Sequence, residues 1–363
     1  MTNVQRSCLC VLLITTLQAT QMMGQRVSAG NGAIRVMTYN VDEGTDYIEL
    51  QQATTTSQFL VAVGETISAV RLTDPPARMQ AVAQQIMAAA PTLVSLQEVD
   101  QWYSGIYDPN TGTCGPLTLE FDMLQELTAE LASLGGHYEV AVQATQYAFP
   151  PTPGFIAPNA YICVQVFDYN VILARTDLGA KRLQWNNPQS GHFANILYFN
   201  TPIGVIPLPR VWASVDATFN GKAFRFIGTH LESIDPGIQE LQGGELRAGP
   251  ANTTLPVIVA MDSNAQAAPL PQSATYLDFM NAGYADAWSE VYPLLSGFTC
   301  CQAPLVNNPT SELYQRIDLI LTLGNIQAQS IGLYGATTNT QTPDGLWPSD
   351  HAGVEAQVVV ETI

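Results

Sequence analysis

Val257-Ile258-Val259-Ala260-Met261 runs straight into Asp262-Ser263-Asn264, and the fold of this chain turns on how that join is read. A short apolar run rich in β-branched residues, bounded by turn formers, reads as a buried strand. It delivers a carboxylate and an amide at its end. Taken alone, an aspartate or asparagine there is usually a turn former. The join matters because it recurs.

Working outward, Ile34 to Tyr39 alternates in β fashion and ends at Asn40, while Leu93 to Leu96 stops just before Glu98. Asn170 interrupts an apolar stretch between Phe167 and Val171. His230 follows Phe226-Ile227-Gly228, Asp318 lies within Arg316 to Ile320, and Asp350-His351 precedes Val354 to Val360. Further strands are expected at Tyr138 to Val142, Tyr161 to Val166, Val171 to Ala174, Val211 to Ala217 and Ala223 to Gly228. Helices are fewer. Asp74-Pro75-Pro76 reads as an N-cap with proline in the first turn, and Met79, Val82, Ala83 and Ile86 follow at helical spacing. Phe121, Leu124, Leu127, Leu131 and Leu134 mark a second helix, closed by Gly135-Gly136. Ser273 to Met280 is a third. Tyr103 to Thr118 and the proline-rich Phe149 to Pro158 read as long loops. Many strands and few helices point to an α+β chain, two sheets packed face to face with helices outside.

With 363 residues, 47% of them hydrophobic, and no internal repeat, one large domain over residues 30–363 is expected. Arg6, the apolar run Cys8 to Leu17 and small residues to Ala29 read as a cleaved export signal over residues 1–29, too short to span a bilayer. The expected location is therefore secreted or periplasmic, and the protein is not an integral membrane protein. Four cysteines remain: Cys114, Cys163, Cys300 and Cys301. One or two disulfides are expected, but not between the adjacent Cys300 and Cys301, whose ring would be tight. The formal charge is −18, from 31 acidic against 13 basic residues. A protein that coats nucleic acid with basic surface is excluded by that balance. The basic residues Arg175, Lys181, Arg182, Arg210, Lys222 and Arg225 do gather in one stretch, opposed only by Asp177 and Asp216. A solvated surface is the ordinary reading of such a stretch, and a face toward an anionic substrate is the sharper one.

Carboxylates, amides and two histidines, each abutting an apolar strand, form a set whose oxygen donors suit Mg²⁺ or Mn²⁺ more than a soft metal. Hydrolysis of a phosphoester needs a metal, a base for water and a donor for the developing charge. Seven segments carry a resemblance: MTYNV (37–41), SLQEV (95–99), YNVILAR (169–175), FIGTHLES (226–233), VIVAMDSNA (257–265), QRIDLIL (315–321) and PSDHAGV (348–354). In this order they resemble the endonuclease/exonuclease/phosphatase superfamily. The resemblance implies a four-layer α/β/β/α sandwich of two mixed sheets. It implies metal ligands at Asn40, Glu98 and Asp350, and groups on the scissile phosphate at His230, Asn170 and Asn264. It also implies an Asp262 that orients or deprotonates the attacking water and a catalytic His351 fixed by Asp318, and leaves open which of the two takes the water's proton. Mg²⁺ is the implied cofactor, with Mn²⁺ or Ca²⁺ as alternatives. The implied activity is a phosphodiesterase of nuclease type. The alternatives are a phosphomonoesterase on sugar or inositol phosphates, a lipid-headgroup phosphodiesterase, or a binding module that has lost catalysis. Beyond a phosphoester substrate, nucleic acid or a phosphorylated small molecule or lipid headgroup, no stable protein partner is expected; a monomer is.

Overall fold

Strand Ile34–Asn40 shows how the layers arise. Ile34 and Val36 join one buried cluster, while Met37 and Tyr39 join another, because successive side chains of a strand point to opposite faces. The computed structural model describes residues 32–157 and 160–361. The expected export segment and Pro158 lie outside them. All described strands and helices belong to the unit Ala33–Ile363.

A ten-stranded sheet is built around the path Ile326–Tyr334, Gly353–Val360, Ile34–Asn40, Leu93–Gln97, Ala160–Arg175, Gln101–Asp108 and Thr113–Cys114. A six-stranded sheet runs Ala285–Asp286, Asp318–Leu323, Val257–Asp262, Lys222–His230, Val211–Phe219 and Leu183–His192. Both are mixed: Ile34–Asn40 pairs parallel with Leu93–Gln97, and Lys222–His230 parallel with Val257–Asp262. Their inner faces share one core, with Ile34, Val36 and Ile172 from the first sheet against Phe224, Phe226, Ile258 and Ile320 from the second. Gly228 keeps the sheets close, since a Cβ there would collide with the Ser95 side chain. Helices Pro75–Ala89 and Met123–Ser133 cover the outer face of the first sheet through Met79, Val82, Ile86 and Leu127. Pro236–Ala248 and Ala274–Asn281 cover the outer face of the second through Leu246, Tyr276 and Phe279. The expected helix–sheet–sheet–helix order is the one observed.

Several expectations are corrected. The loop expected over Tyr103 to Thr118 holds most of strand Gln101–Asp108, whose partners are Ala160–Arg175 and Thr118–Asp122. Phe121 lies within that second partner instead of starting a helix, because Asp122 caps Met123–Ser133 by accepting from Gln125 N. Thr152–Ala157 is likewise a strand, not a loop. The two strands expected on either side of Asn170 are one, Ala160–Arg175; its partner Tyr138–Ala148 absorbs the irregularity through two register shifts. A helix not foreseen, Thr56–Leu72, starts from a capping box of Thr55 and Gln58. Cys114 pairs with Cys163, and Cys300 with Cys301. That adjacent pairing reverses the expectation; the Cα atoms stand 3.1 Å apart.

Candidate active site

The inter-sheet layer ends in polar side chains. Extending the alternation of Ile34 and Val36 brings Asn40 onto the inner face, and Ile258 and Ala260 likewise lead to Asp262. Phe224 and Phe226 lead to His230, Ile320 leads to Asp318, and Ile172 to Asn170. Pairing then sets them side by side: His230 stands opposite Asp262, and Asp262 opposite Asp318. All five are buried. Sheet geometry alone thus converts positions far apart in sequence into one polar patch.

Asp262 is its centre. Its Oδ2 accepts from Asn40 Nδ2 at 2.9 Å and stands 3.5 Å from His230 Nε2 and 3.8 Å from His351 Nε2. Its Oδ1 accepts from Asn264 N at 2.9 Å. Burial alone would raise this carboxyl, but the two imidazoles, the Asn40 amide and the Asn264 N–H outweigh it and hold the pKa below the ordinary value.

Loops supply the rest. Glu98 follows strand Leu93–Gln97 directly in a left-handed conformation, φ 55°, which turns its carboxylate onto Asn40 Nδ2 at 2.8 Å and Glu43 N at 3.1 Å. Ser349 Oγ donates to Asn40 O and accepts from His351 N, so the Asp350-His351 loop is tied to the first strand. Thr299 Oγ1 accepts from the backbone N–H groups of Ile317 and Asp318. Beneath these loops lies Arg78, fully buried. It donates to Val41 O and Asp42 O at 2.8 Å each, reaches Pro348 O at 3.3 Å, and pairs with the Asp42 carboxylate at 3.2 Å. One guanidinium therefore holds both the Asn40–Glu43 turn and the loop leading to Asp350.

The two imidazoles are polarised oppositely. His351 Nδ1 stands 2.8 Å from Asp318 Oδ2, and its Nε2 faces Asp262 and Asp350. Burial opposes a charge here, yet Asp318, Asp350 and Asp262 together raise its pKa well above the usual histidine value. His230 Nδ1 lies 3.0 Å from Arg210 Nη1. A guanidinium only donates, as does the amide nitrogen Asn264 Nδ2 that stands 3.0 Å from Nε2; Nε2 also faces Asp262 and, at 3.9 Å, Glu98. Burial and the Arg210 charge push its pKa down to about 3. The carboxylates favour the charged form of one imidazole, while burial and Arg210 favour the neutral form of the other.

The donors for a metal are hard oxygens. Glu98, His230 and Asp262 offer ligand-type atoms within 4.8 Å of one another, as do Asp262, Asp318 and His351. Burial, then Glu43, Asp350 and Asp42, raise Glu98 well above the usual carboxylate range, and burial carries Asp350 up to about 7. Carboxylates crowded until they hold protons are what a divalent cation relieves, so the residues fit an oxygen-ligated ion. Asn40 turns its amide nitrogen toward Glu98 and Asp262, and its Oδ1 already accepts from Asp42 N. It is the most indirect of the expected ligands. A second acidic group, Glu43, Asp100 and Asp168, lies alongside with ligand atoms within 4.8 Å.

Of the nine expected residues, eight join this contact network. Asn170 does not: its Nδ2 donates to Val211 O, next to Arg210, and it does not line the site cavity. Asn40 and Asp318 stand behind that lining, backing Glu98, Asp262 and His351. Arg316 and Asp286 form a buried pair at 2.7 Å away from the cavity lining. Of the six clustered basic residues only Arg210 lines the cavity. Arg175 is paired with Asp177, Arg225 with Asp216, and Arg182 lies over the Phe219 ring. Arg78, Asp42 and Glu43 were not foreseen. Asp42, two residues beyond Asn40, carried the only sequence signal.

No sequence-family model matches the chain, and no curated protein matches it either. Solved structures do. An endonuclease/exonuclease/phosphatase family protein from Bacteroides thetaiotaomicron superposes with a TM-score of 0.54 at 16% identity, covering 91% of this chain and 95% of that one. The mannosyl-6-phosphatase Bt3783 of the same organism gives 0.53 at 16%, covering 90% and 99%. TDP2 from D. rerio, complexed with a single-strand DNA product, gives 0.50 at 15%, covering 90% and 98%. The chain has the endonuclease/exonuclease/phosphatase fold.

Proposed function

We propose that this chain is a divalent-metal-dependent phosphoester hydrolase, exported after loss of residues 1–29 and acting as a monomer through residues 30–363. The observation that carries this reading is Asp262 flanked by two imidazoles of opposite polarity, with Glu98 beside them. Asp262 remains ionised and accepts the hydrogen bond of the attacking water, orienting it and taking its proton. His351, held by Asp318 at Nδ1, turns its Nε2 toward the site. Its Nε2–H donates to a phosphoryl oxygen as charge develops there. His230 is a second group on the phosphate, and Arg210 behind it adds positive charge. Asn264, whose Nδ2 donates to Leu231 O at 3.0 Å beside His230, steadies the phosphate. Asn170 supports this corner through Val211 instead of touching the phosphate. Glu98 and Asp350, with Asn40 behind, would hold Mg²⁺, Mn²⁺ or Ca²⁺; when bound, the ion neutralises phosphate charge and favours attack by water.

A mannosyl-6-phosphatase and a protein holding a DNA product share the fold, so fold leaves monoester and diester open. A binding module is disfavoured because the polar set is complete. The Cys114–Cys163 disulfide supports export to an oxidising compartment. Among the described residues no helix is long and apolar enough to cross a membrane. The test is release of nitrophenolate from bis(4-nitrophenyl) phosphate and 4-nitrophenyl phosphate with Mg²⁺, Mn²⁺ or Ca²⁺. Turnover that vanishes with chelator and returns with metal is expected. Turnover indifferent to chelator, or absent with every ion, overturns the reading.

A further inference from the structure

The site opens into a cavity of about 1030 Å³, and most of that space is not polar. Glu98, His230, Asp262, Asn264, Asp350 and His351 form one end. Phe59 and Val63 of helix Thr56–Leu72, Trp102, Val166, Phe149 and Ile206 form the other. Phe59, Val63, Trp102 and Val166 belong to a buried apolar cluster of their own, with Phe149 and Ile206 packed against it. Both sides of this chamber come from segments outside the seven family-like motifs. One is the helix between Asn40 and Glu98. The other is the hairpin of Leu197–Thr201 and Gly204–Leu208, a sheet apart from the other two.

Charge decides what such a chamber can take. Among the described lining residues the only lysine or arginine is Arg210, which already serves the polar end. A strand of nucleic acid presents several phosphates and is bound by neutralising them; here a second phosphate would meet no cation. One phosphate at the polar end, continuous with an uncharged apolar group, matches both ends. Among the lining residues Ile203 and Val205, on the hairpin, are 50% and 60% exposed, and Ile234 is 45% exposed. Solvent-facing apolar residues lining one cavity mark a surface for apolar ligand.

We infer that the substrate is an amphiphilic phosphoester. Its phosphate sits among Asp262, His230 and His351, and its long hydrocarbon chain fills the chamber. This rests on the hydrolase reading and names its substrate class. A P–O bond forms to the oxygen of water, the P–O bond to one ester oxygen breaks, and a water proton ends on the departing alcohol.

The test uses the full chain with Mg²⁺ and a series of alkyl 4-nitrophenyl phosphodiesters from methyl to dodecyl, kept below their micelle concentrations. Each methylene that enters the chamber is worth about a threefold to fourfold gain in kcat/KM, so a rise of at least a hundredfold across the series is expected. Binding of dodecylphosphonate against methylphosphonate, followed by calorimetry, gives a readout that needs no turnover and is expected to favour dodecyl by at least tenfold. Val166→Trp, which fills the chamber, should flatten the ratio of dodecyl to methyl in both measurements. The same dodecyl ester presented in phosphatidylcholine vesicles identifies the source. Faster turnover there assigns a lipid surface, and slower turnover a free amphiphile. Equal kcat/KM and equal binding along the series overturn the tail chamber while leaving the hydrolase intact. Tighter, salt-sensitive binding of a single-stranded oligonucleotide than of dodecylphosphonate overturns it as well. Failure of every ester to turn over while dodecylphosphonate binds selectively would sink the hydrolase reading instead.

Discussion

The two ends of the cavity are built by opposite means. At the polar end every group answers another: Asp262 to Asn40 and Asn264, His351 to Asp318, His230 to Arg210, Asp42 to Arg78. At the apolar end Phe59, Val63, Trp102 and Val166 are held by burial alone. Electrostatic preorganisation needs fixed dipoles and charges, and fixing them takes rigid strands and buried ties. Hydrophobic recognition is non-directional, so it can be carried by inserted helices and hairpins. Charged and amide groups are thus confined to the sheet ends, and the apolar wall is added by segments of the kind that vary most readily.

The largest expected effect breaks the polar end only. Asp262→Asn keeps shape and loses the charge, and kcat/KM should fall about 10²–10⁴-fold on every ester by the same factor, whatever its chain length. Steady-state kinetics along the alkyl series checks both the size and the uniformity; near-wild-type turnover would remove Asp262 as the acceptor of the water's proton. Arg78→Met strips the tie beneath the polar end and leaves Asp42 buried without its partner. A loss of about 3–5 kcal/mol is expected, read from urea denaturation. An unchanged midpoint would mean that the guanidinium contributes nothing net.

Arg210 stands where the two ends meet, so Arg210→Met sharpens the contrast. Loss of a charged hydrogen bond of about 1.5–3 kcal/mol should raise KM for methyl and dodecyl esters alike by about 10- to 100-fold. A change confined to the long-chain ester would place Arg210 with the chamber and not with the phosphate. Smallest is Gly228→Ala, two residues before His230 on the same strand, where the added methyl pushes against Ser95 and over-packing costs about 1–3 kcal/mol. Thermal unfolding measures it; no loss would show that the sheets have slack to spare.

The polar end was legible because its residues interrupt apolar runs. Asn40, Asp262 and His230 each end a stretch whose burial is plain from composition, and their shared face follows from the period of two. The apolar end was not legible. Its residues are ordinary core types, and nothing in Phe59, Val63 or Val166 distinguishes a cavity wall from a filled interior. Helix Thr56–Leu72 begins among threonines and glutamines that resemble a loop until the capping box is recognised. Gln101–Asp108 lacks clean alternation because it is only partly buried.

By itself the order of residues determined the two-sheet architecture and most of the polar groups gathered at the sheet ends, since strand period and strand-end chemistry are local properties of the chain. Only the tertiary structure decided that Arg210, alone among six clustered cations, faces the site. It also decided that Arg78 anchors the site from below and that an apolar chamber adjoins it. Each of these depends on where unlike segments meet in space, and pairing across the fold is set by packing and burial that no single segment encodes.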